Sequence, residues 1–130
     1  MGAETFRRCF EAGDIEAVMA DLAPGFTLYH AARSEPASAP APIDRILEAA
    51  RTTLGPDFRF TEHARGDGLH ALRWTATIDG MHADGVDVVR EDGDGRLLEL
   101  RITMRPLPAI EVWSRLMGER LGDGHGPPVI

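Results

Sequence analysis

The fold is decided by the stretch from Gly80 to Pro106, GMHADGVDVVREDGDGRLLELRITMRP. Two runs rich in Val, Leu and Ile flank the sequence Asp92-Gly93-Asp94-Gly95, and Asp-Gly steps tolerate the positive φ angles that a hairpin turn requires. The stretch therefore predicts two long strands joined by a tight turn. Asp87 interrupts the apolar segment Gly85-Val86-Asp87-Val88-Val89, which predicts a carboxyl group carried into a buried environment.

Outward from this hairpin, the same alternation and turn signals predict further strands. Four successive strands are expected at Phe58–Arg65, Leu69–Ile78, Met81–Glu91 and Arg96–Arg105, with turns at 66–68, Asp79-Gly80 and 92–95. An earlier strand is expected over Phe26–Ala32, with His30 on its apolar side. Because the four later strands are joined by short turns, neighbours among them should be antiparallel.

Helical periodicity precedes and follows these strands. Apolar spacing predicts helices over Glu4–Ala12, from Asp14 to before Pro24-Gly25, over Ile43–Leu54 and over Leu107–Leu121. The proline-rich segment Ser34–Pro42 predicts an irregular loop over the surface or over a cavity mouth. The class is therefore α+β, with helices covering one face of a curved antiparallel sheet.

Length and composition bound the domain organisation and exclude one class of partner. At 130 residues, with 43% hydrophobic and 27% charged residues, the chain fits one globular domain, expected over residues 1–121 with a flexible tail at 122–130. The net charge is −7 and the basic residues, all arginines, are scattered, which argues against nucleic acid. No signal-peptide or membrane pattern is present, so a cytoplasmic location and no membrane partner are expected.

The order of these elements resembles the ketosteroid isomerase and nuclear-transport-factor-2-like superfamily, with its SnoaL-like branch. The resemblance rests on Ala12-Gly13-Asp14, Ser34-Glu35-Pro36, Val86-Asp87-Val88-Val89-Arg90 and Asp94-Gly95-Arg96-Leu97, and it covers Glu4 to Pro106. It implies a cystatin-like, cone-shaped curved sheet wrapped around the N-terminal helices, with a short C-terminal helix here. It also implies a small apolar ligand in the open end of the cone.

The resemblance also suggests roles for individual residues. In ketosteroid isomerases a carboxylate base moves a proton while a tyrosine and a protonated aspartate stabilise the enolate oxygen. The protonated aspartate falls on Asp87, and the base falls on His30, an imidazole that titrates near neutrality. The tyrosine falls on Phe6, which has no hydroxyl group, so half of the oxyanion hole is missing.

Alternatives to each role follow from the residues themselves. Asp87 would be structural if it paired with Arg73 or Arg101 on a neighbouring strand. His30 would be structural if it were a satisfied core residue. The apolar wall of the expected ligand site consists of Phe6, Phe10, Phe58, Trp74 and Met104, which fill a core equally well.

The histidines and acidic residues do not predict a metal site. His82 and Asp84 lie two residues apart on one strand, and His30, His63 and His70 are further possible ligands. None of them has the fixed spacing of a known metal motif, so no metal is expected.

Two functional hypotheses remain open at this point. The first is a cofactor-free isomerase or cyclase that acts on an apolar carbonyl compound, with His30 and Asp87 as catalytic residues. The second is a non-catalytic ligand-binding or dimerisation module, suggested by the phenylalanine at position 6. A homodimer is expected in either case, because one face of the sheet can remain available for pairing.

Overall fold

The structure is a computed structural model that describes residues 2–122. These residues form an α+β domain of four helices and six strands. The helices are α1 (Ala3–Ala12), α2 (Ile15–Ala20), α3 (Ile43–Leu54) and α4 (Leu107–Leu121). The strands are β1 (Leu22–Tyr29), β2 (Ala37–Ser38), β3 (Arg59–Ala64), β4 (Leu69–Ile78), β5 (Met81–Glu91) and β6 (Leu97–Ile102).

All the strands belong to one curved, open sheet of order β2-β1-β6-β5-β4-β3. The predicted meander from β3 to β6 is present, and its neighbours are antiparallel because short turns connect them. β1 inserts next to β6 and runs parallel to it, with Leu28 opposite Leu100. The α+β class is therefore confirmed, with one parallel pair in a sheet that was expected to be antiparallel.

The hairpins form where the turn residues require them. Asp79 (φ 50°) and Gly80 (φ 80°) both adopt positive φ, which makes the tight two-residue turn between β4 and β5. In the next turn, the Asp92 side chain accepts hydrogen bonds from the backbone N–H groups of Asp94 and Arg96, each at 2.9 Å. The positive φ of that turn lies at Gly95.

Four elements match their predicted limits residue for residue: α3, β4, β5 and α4. The prediction of a strand over Phe26–Ala32 was wrong in position, since β1 spans Leu22–Tyr29 and includes Pro24-Gly25 at a register shift. The loop Ser34–Pro42 was predicted to be irregular, but Ala37–Ser38 pair with Thr27 and Leu28 as β2. β3 and β6 are shorter than predicted, and α1 begins one residue earlier.

The hydrophobic core lies between the concave face of the sheet and the helices. α1 contributes Phe6 and Phe10, α3 contributes Ile46 and Leu47, and α4 contributes its i, i+4, i+8 series Ala109, Trp113 and Met117. Inward-facing residues of β4, such as Leu72 and Trp74, complete the core.

The predicted flexible tail at 122–130 lies outside the described residues apart from Gly122. Among the helices of residues 2–122, none is both long enough and apolar enough to cross a membrane.

Candidate functional site

Asp87 lies at the centre of the concave face, on β5. Its register partners are Leu72 on β4 and Ile102 on β6, so apolar side chains border it on both neighbouring strands. Only 4% of the residue is exposed. The prediction of a buried carboxyl group at this position is confirmed.

Trp74 holds one oxygen of this carboxyl group. The indole Nε1–H donates a hydrogen bond to Asp87 Oδ1 at 3.0 Å, and both side chains are buried. The register places Trp74 opposite Gly85. A Cβ atom at Gly85 would lie 2.7 Å from Trp74 Cζ2, so the absence of a side chain there allows the indole to lie across the strand and reach Asp87.

The structural alternative for Asp87, a salt bridge to a neighbouring strand, is wrong. Arg73 pairs with Glu62 at 2.6 Å, and Arg101 pairs with Glu99 at 2.8 Å while its guanidinium lies 3.8 Å from the Tyr29 ring centroid. Among residues 2–122, no basic side chain forms an ion pair with Asp87. The arginines face the convex side of the sheet, because residues of odd and even number alternate between the two faces of a strand.

Burial therefore controls the titration of Asp87. Desolvation raises the pKa of the Asp87 carboxyl group well above its ordinary value, and the hydrogen bond from Trp74 opposes this only in part. An indole N–H can only donate, so it occupies Oδ1 as an acceptor. This bond leaves Oδ2 as the oxygen that carries the proton when the carboxyl group is neutral.

His30 lies directly after β1, and 9% of it is exposed. Tyr29 is the register partner of Arg101, and the Arg101 guanidinium stacks on its ring on the convex side. Because side chains alternate between the two faces, Leu28 and His30, on either side of Tyr29, lie on the concave side. On β6, the residue after Arg101 is Ile102, the register partner of Asp87. His30 and Asp87 therefore share the concave side and are separated by one strand.

The predicted apolar wall is a contiguous cluster of aromatic rings. Phe6 stacks on Phe10 with centroids 5.0 Å apart, Phe10 meets Phe58 edge-on at 5.6 Å, and Phe58 lies 5.8 Å from Trp74. Phe60, which was not among the predicted wall residues, is 5.0 Å from Phe58. The cluster connects α1 to the donor that holds Asp87.

Met104, the remaining predicted wall residue, is 9% exposed and belongs to the same core. Phe6 is almost wholly buried at the position where the resemblance places a tyrosine. The interior at this position is therefore apolar. The Phe6 side chain has no hydroxyl group to replace that of the ketosteroid isomerase tyrosine.

Three surface cavities lie away from Asp87 and His30. The one nearest the proline-rich loop, of about 470 Å³, lies between the start of β1 and the segment from Ser38 to Asp44, so this loop does border a cavity. Two others, of about 390 and 560 Å³, are next to Arg120 near the ends of α3 and α4. Neither Asp87 nor His30 lines any of these three.

One cluster of hydrogen-bonded side chains was not predicted. His63, His70 and Glu91 form a hydrogen-bonded chain across β3, β4 and β5 on the concave side. In the sequence, His63 and His70 are possible metal ligands, but within residues 2–122 no group of three or more His, Cys, Asp or Glu side chains is arranged so that it could hold a metal ion. The sequence does contain a signal for the inward position of His70. It is spaced by two residues from Leu72 and by four from Trp74, so all three lie on one face of the strand.

No protein-family model and no curated protein sequence matches the chain. Solved structures do match it. An uncharacterised cystatin-like-fold protein from Silicibacter pomeroyi shares 18% identity with a TM-score of 0.85, covering 92% of this chain and 85% of that one. A steroid delta-isomerase from Pseudomonas aeruginosa shares 23% identity with a TM-score of 0.81, covering 89% of this chain and 85% of that one.

A third match carries a SnoaL-like description. It is a proposed isomerase of the SnoaL-like family from Agrobacterium tumefaciens, 19% identical with a TM-score of 0.58, covering 80% of this chain and 94% of that one. At these identities the matches establish the fold and do not establish an activity. The curved six-stranded sheet, the helices on its concave side and these matches together identify the cystatin-like, nuclear-transport-factor-2-like fold.

Proposed function

We propose that the protein binds an apolar carbonyl compound against the concave face of its sheet and moves a proton on it, as a cofactor-free isomerase or cyclase. The observation that carries the proposal is the buried Asp87 carboxyl group, which has no basic partner among the described residues and is held at Oδ1 by Trp74. A carboxyl group kept neutral in this way is a strong donor to a developing oxyanion.

In the proposed mechanism, His30 removes a proton from the carbon next to the carbonyl group. Negative charge then accumulates on the carbonyl oxygen, and Asp87 Oδ2–H donates a hydrogen bond to that oxygen. The protonated His30 returns the proton to a second carbon, so the double bond migrates and no external oxidant or cofactor is consumed. The fold of the Pseudomonas steroid delta-isomerase supports this reaction class by analogy only.

The activity test uses a β,γ-unsaturated ketosteroid and follows the absorbance of the conjugated ketone that forms. We expect Asp87→Asn to lower kcat by about 100-fold, the usual effect of losing one oxyanion donor. His30→Gln should lower kcat by at least about 100-fold, because the general base is lost.

Asp84→Asn is the matched control for this experiment. Asp84 lies on the same strand and pairs with Arg105 at 3.0 Å on the convex side, so its replacement should leave the rate unchanged. If Asp87→Asn and His30→Gln turn over the ketosteroid, and other β,γ-unsaturated ketones, as fast as the unaltered protein, the proposed chemistry is wrong.

The second candidate is a non-catalytic ligand-binding module, and Phe6 is the observation that favours it. The Phe6 ring stacks on Phe10 and offers no hydroxyl group, so a bound carbonyl oxygen would rely on Asp87 alone. In that case 2-naphthol, whose fluorescence reports its ionisation, should bind without any turnover of ketones. Asp87→Asn should then change the affinity for 2-naphthol and nothing else.

We also propose that the protein is a homodimer paired through the convex face of the sheet. Val86 and Val88 on β5 and Ala71 on β4 are only partly covered there, and exposed Leu69 adds to them. Partly covered apolar residues on a sheet face are suited to burial against a second copy. A cytoplasmic location remains a prediction from the sequence.

A further inference from the structure

Separate from the Asp87 site, a chain of hydrogen bonds joins the start of α1 to three strands. His63 Nε2 lies 3.0 Å from His70 Nδ1, and His70 Nε2 lies 3.0 Å from Glu91 Oε1. Glu91 Oε2 accepts the backbone N–H of Ala3 at 2.9 Å. We call His63, His70, Glu91 and the Ala3 amide the α1 clasp.

The clasp replaces an ordinary helix cap. α1 has no side-chain cap at Gly2, and the carboxylate of Glu91 fills that role from β5. Gly2 has φ 66°, and a Cβ atom there would overlap the Glu91 carboxylate. The chain is therefore shaped to bring this carboxylate against the first turn of α1.

The hydrogen-bond order fixes the tautomers of both imidazoles. The Glu91 carboxylate can only accept, so His70 donates through Nε2–H and its Nδ1 is an acceptor. His63 must then donate through Nε2–H, which leaves its Nδ1 without a proton. That nitrogen is buried, has no hydrogen-bond partner among residues 2–122, and lies 3.8 Å from Glu4 Oε2.

The surrounding charges come from α1 and from the end of β3. Burial lowers the pKa of His63, and Arg65, His70 and Arg7 act in the same direction, whereas Glu4 acts against them. A hydrogen bond from Arg65, at 2.9 Å, lowers the pKa of Glu4. For Glu91, burial works to raise the pKa, but the bonds from Ala3 and His70 prevail and lower it.

We propose that the α1 clasp is an acid-sensitive device that holds the N-terminal turn of α1 on the sheet while His63 Nδ1 carries no proton and releases it when this nitrogen takes one up. The bare, buried Nδ1 is the site of uptake. Protonation adds a positive charge that burial, Arg65 and Arg7 oppose more strongly than Glu4 favours it, and the first turn of α1 opens to admit solvent.

The direction of the pH effect follows from the lowered pKa of His63. The unfolded or opened chain binds the proton more readily than the closed clasp does. The clasp is therefore fully stable above the ordinary histidine pKa, and it loses stability as the pH falls from there toward the lowered pKa of His63. α1 carries Phe6 and Phe10, so its release also loosens the aromatic cluster.

Amide hydrogen exchange on the full chain tests the proposal. Between about pH 7.5 and about pH 5, protection of the Ala3 and Phe6 amides should fall by about tenfold, after correction for intrinsic exchange. The amide of Leu72 in the β4–β5 hairpin should stay protected. Equal protection of Ala3 at both pH values would overturn the proposal.

His63→Gln is the decisive variant. The glutamine amide N–H can still donate to His70 Nδ1, but it takes up no proton, so protection at Ala3 should no longer depend on pH in this range. His82→Gln is the matched control, because His82 is largely exposed on the convex side, and it should behave like the unaltered protein. A fall in His63→Gln as large as in the unaltered protein refutes the clasp.

Two further measurements keep the test valid if His63→Gln fails to fold. In the unaltered protein, NMR titration of His63 should give a pKa below the ordinary histidine value, and the loss of Ala3 protection should end near that pKa. A pKa of His63 that is not lowered would overturn the proposal. Glu4→Gln removes the carboxylate that favours the protonated imidazole in the closed clasp, so the pKa of His63 there should fall further. The loss of Ala3 protection should then continue to lower pH and be larger in total. A loss that is equal or smaller would contradict the pairing of Nδ1 with Glu4.

Discussion

Asp87 and Trp74 form a two-residue unit in which each side chain depends on the other. The carboxyl group gives the buried indole N–H its acceptor, and the indole decides which carboxyl oxygen carries the proton. Gly85 makes the arrangement possible because it leaves room for the ring. Replacing the Asp87 carboxyl group by an amide of the same shape should therefore preserve the fold.

Asp87→Asn should stabilise the protein increasingly as the pH rises. The folded state binds the Asp87 proton more tightly than the unfolded state does, so the unaltered protein loses stability above the unfolded pKa of about 3.9, by at most about 1.4 kcal/mol per pH unit. This loss of stability ends at the raised pKa of Asp87 in the folded state. The asparagine amide of the variant does not ionise, so the variant does not lose stability in this way. Urea unfolding across the pH range measures the free energy of unfolding of both proteins.

Near about pH 3.5 the two proteins should differ little, because the carboxyl group is then protonated in both states. Asp84→Asn serves again as the control, since Asp84 is partly exposed and paired with Arg105. A stability difference for Asp87→Asn that stays constant with pH would mean that Asp87 is not buried as a neutral acid.

Among the elements, the β5–β6 hairpin depends on one turn residue. Asp92→Ala should lower the free energy of unfolding by about 1–2 kcal/mol, because the Asp92 side chain accepts two backbone hydrogen bonds that alanine cannot accept. Asp94→Ala removes an equal charge from the same turn and should cost less than about 0.5 kcal/mol. Denaturant midpoints compare the two, and equal losses would rule out a special role for Asp92.

The elements best predicted from sequence are those whose signals are local. Ile43–Leu54 has a complete apolar stripe and a Gly-Pro stop, and Asp79-Gly80 supplies both residues of a positive-φ turn, so their limits follow from neighbours in the chain. β1 and β2 could not be placed in this way. Pro24-Gly25 is a turn signal that becomes part of a strand only because Leu22 pairs with distant Leu97.

For the whole molecule, the proposed dimer makes a prediction about mass. Sedimentation at micromolar concentration should give twice the mass of the 14.2 kDa chain. Val88→Arg on the convex face should produce monomers, because a charge would be desolvated at the centre of the interface. Ala12→Arg is the control, because Ala12 is exposed at the end of α1 and the helices lie on the concave side of the sheet. A monomer in the unaltered protein contradicts the proposal.

The burial of Asp87 could be predicted from the sequence, but the contacts of the candidate site could not. The alternation of side chains along the strands and the family resemblance both indicate that Asp87 and His30 face inward. The hydrogen bond from Trp74 depends on which residue lies opposite the indole, and strand register across a bulged sheet is a tertiary property. The α1 clasp could not be predicted for the same reason, because its three side chains come from three strands and meet only in the correct register.

The parallel pairing of β1 with β6 also constrains the order in which the chain can assemble. β6 is the only strand between β1 and β5, so the first two strands have no attachment to the meander until it is in place. During synthesis, β1 therefore cannot join the meander until β6, Leu97–Ile102, has left the ribosome. His30 and Asp87 come to lie on one continuous sheet only after β6 has paired with both β1 and β5.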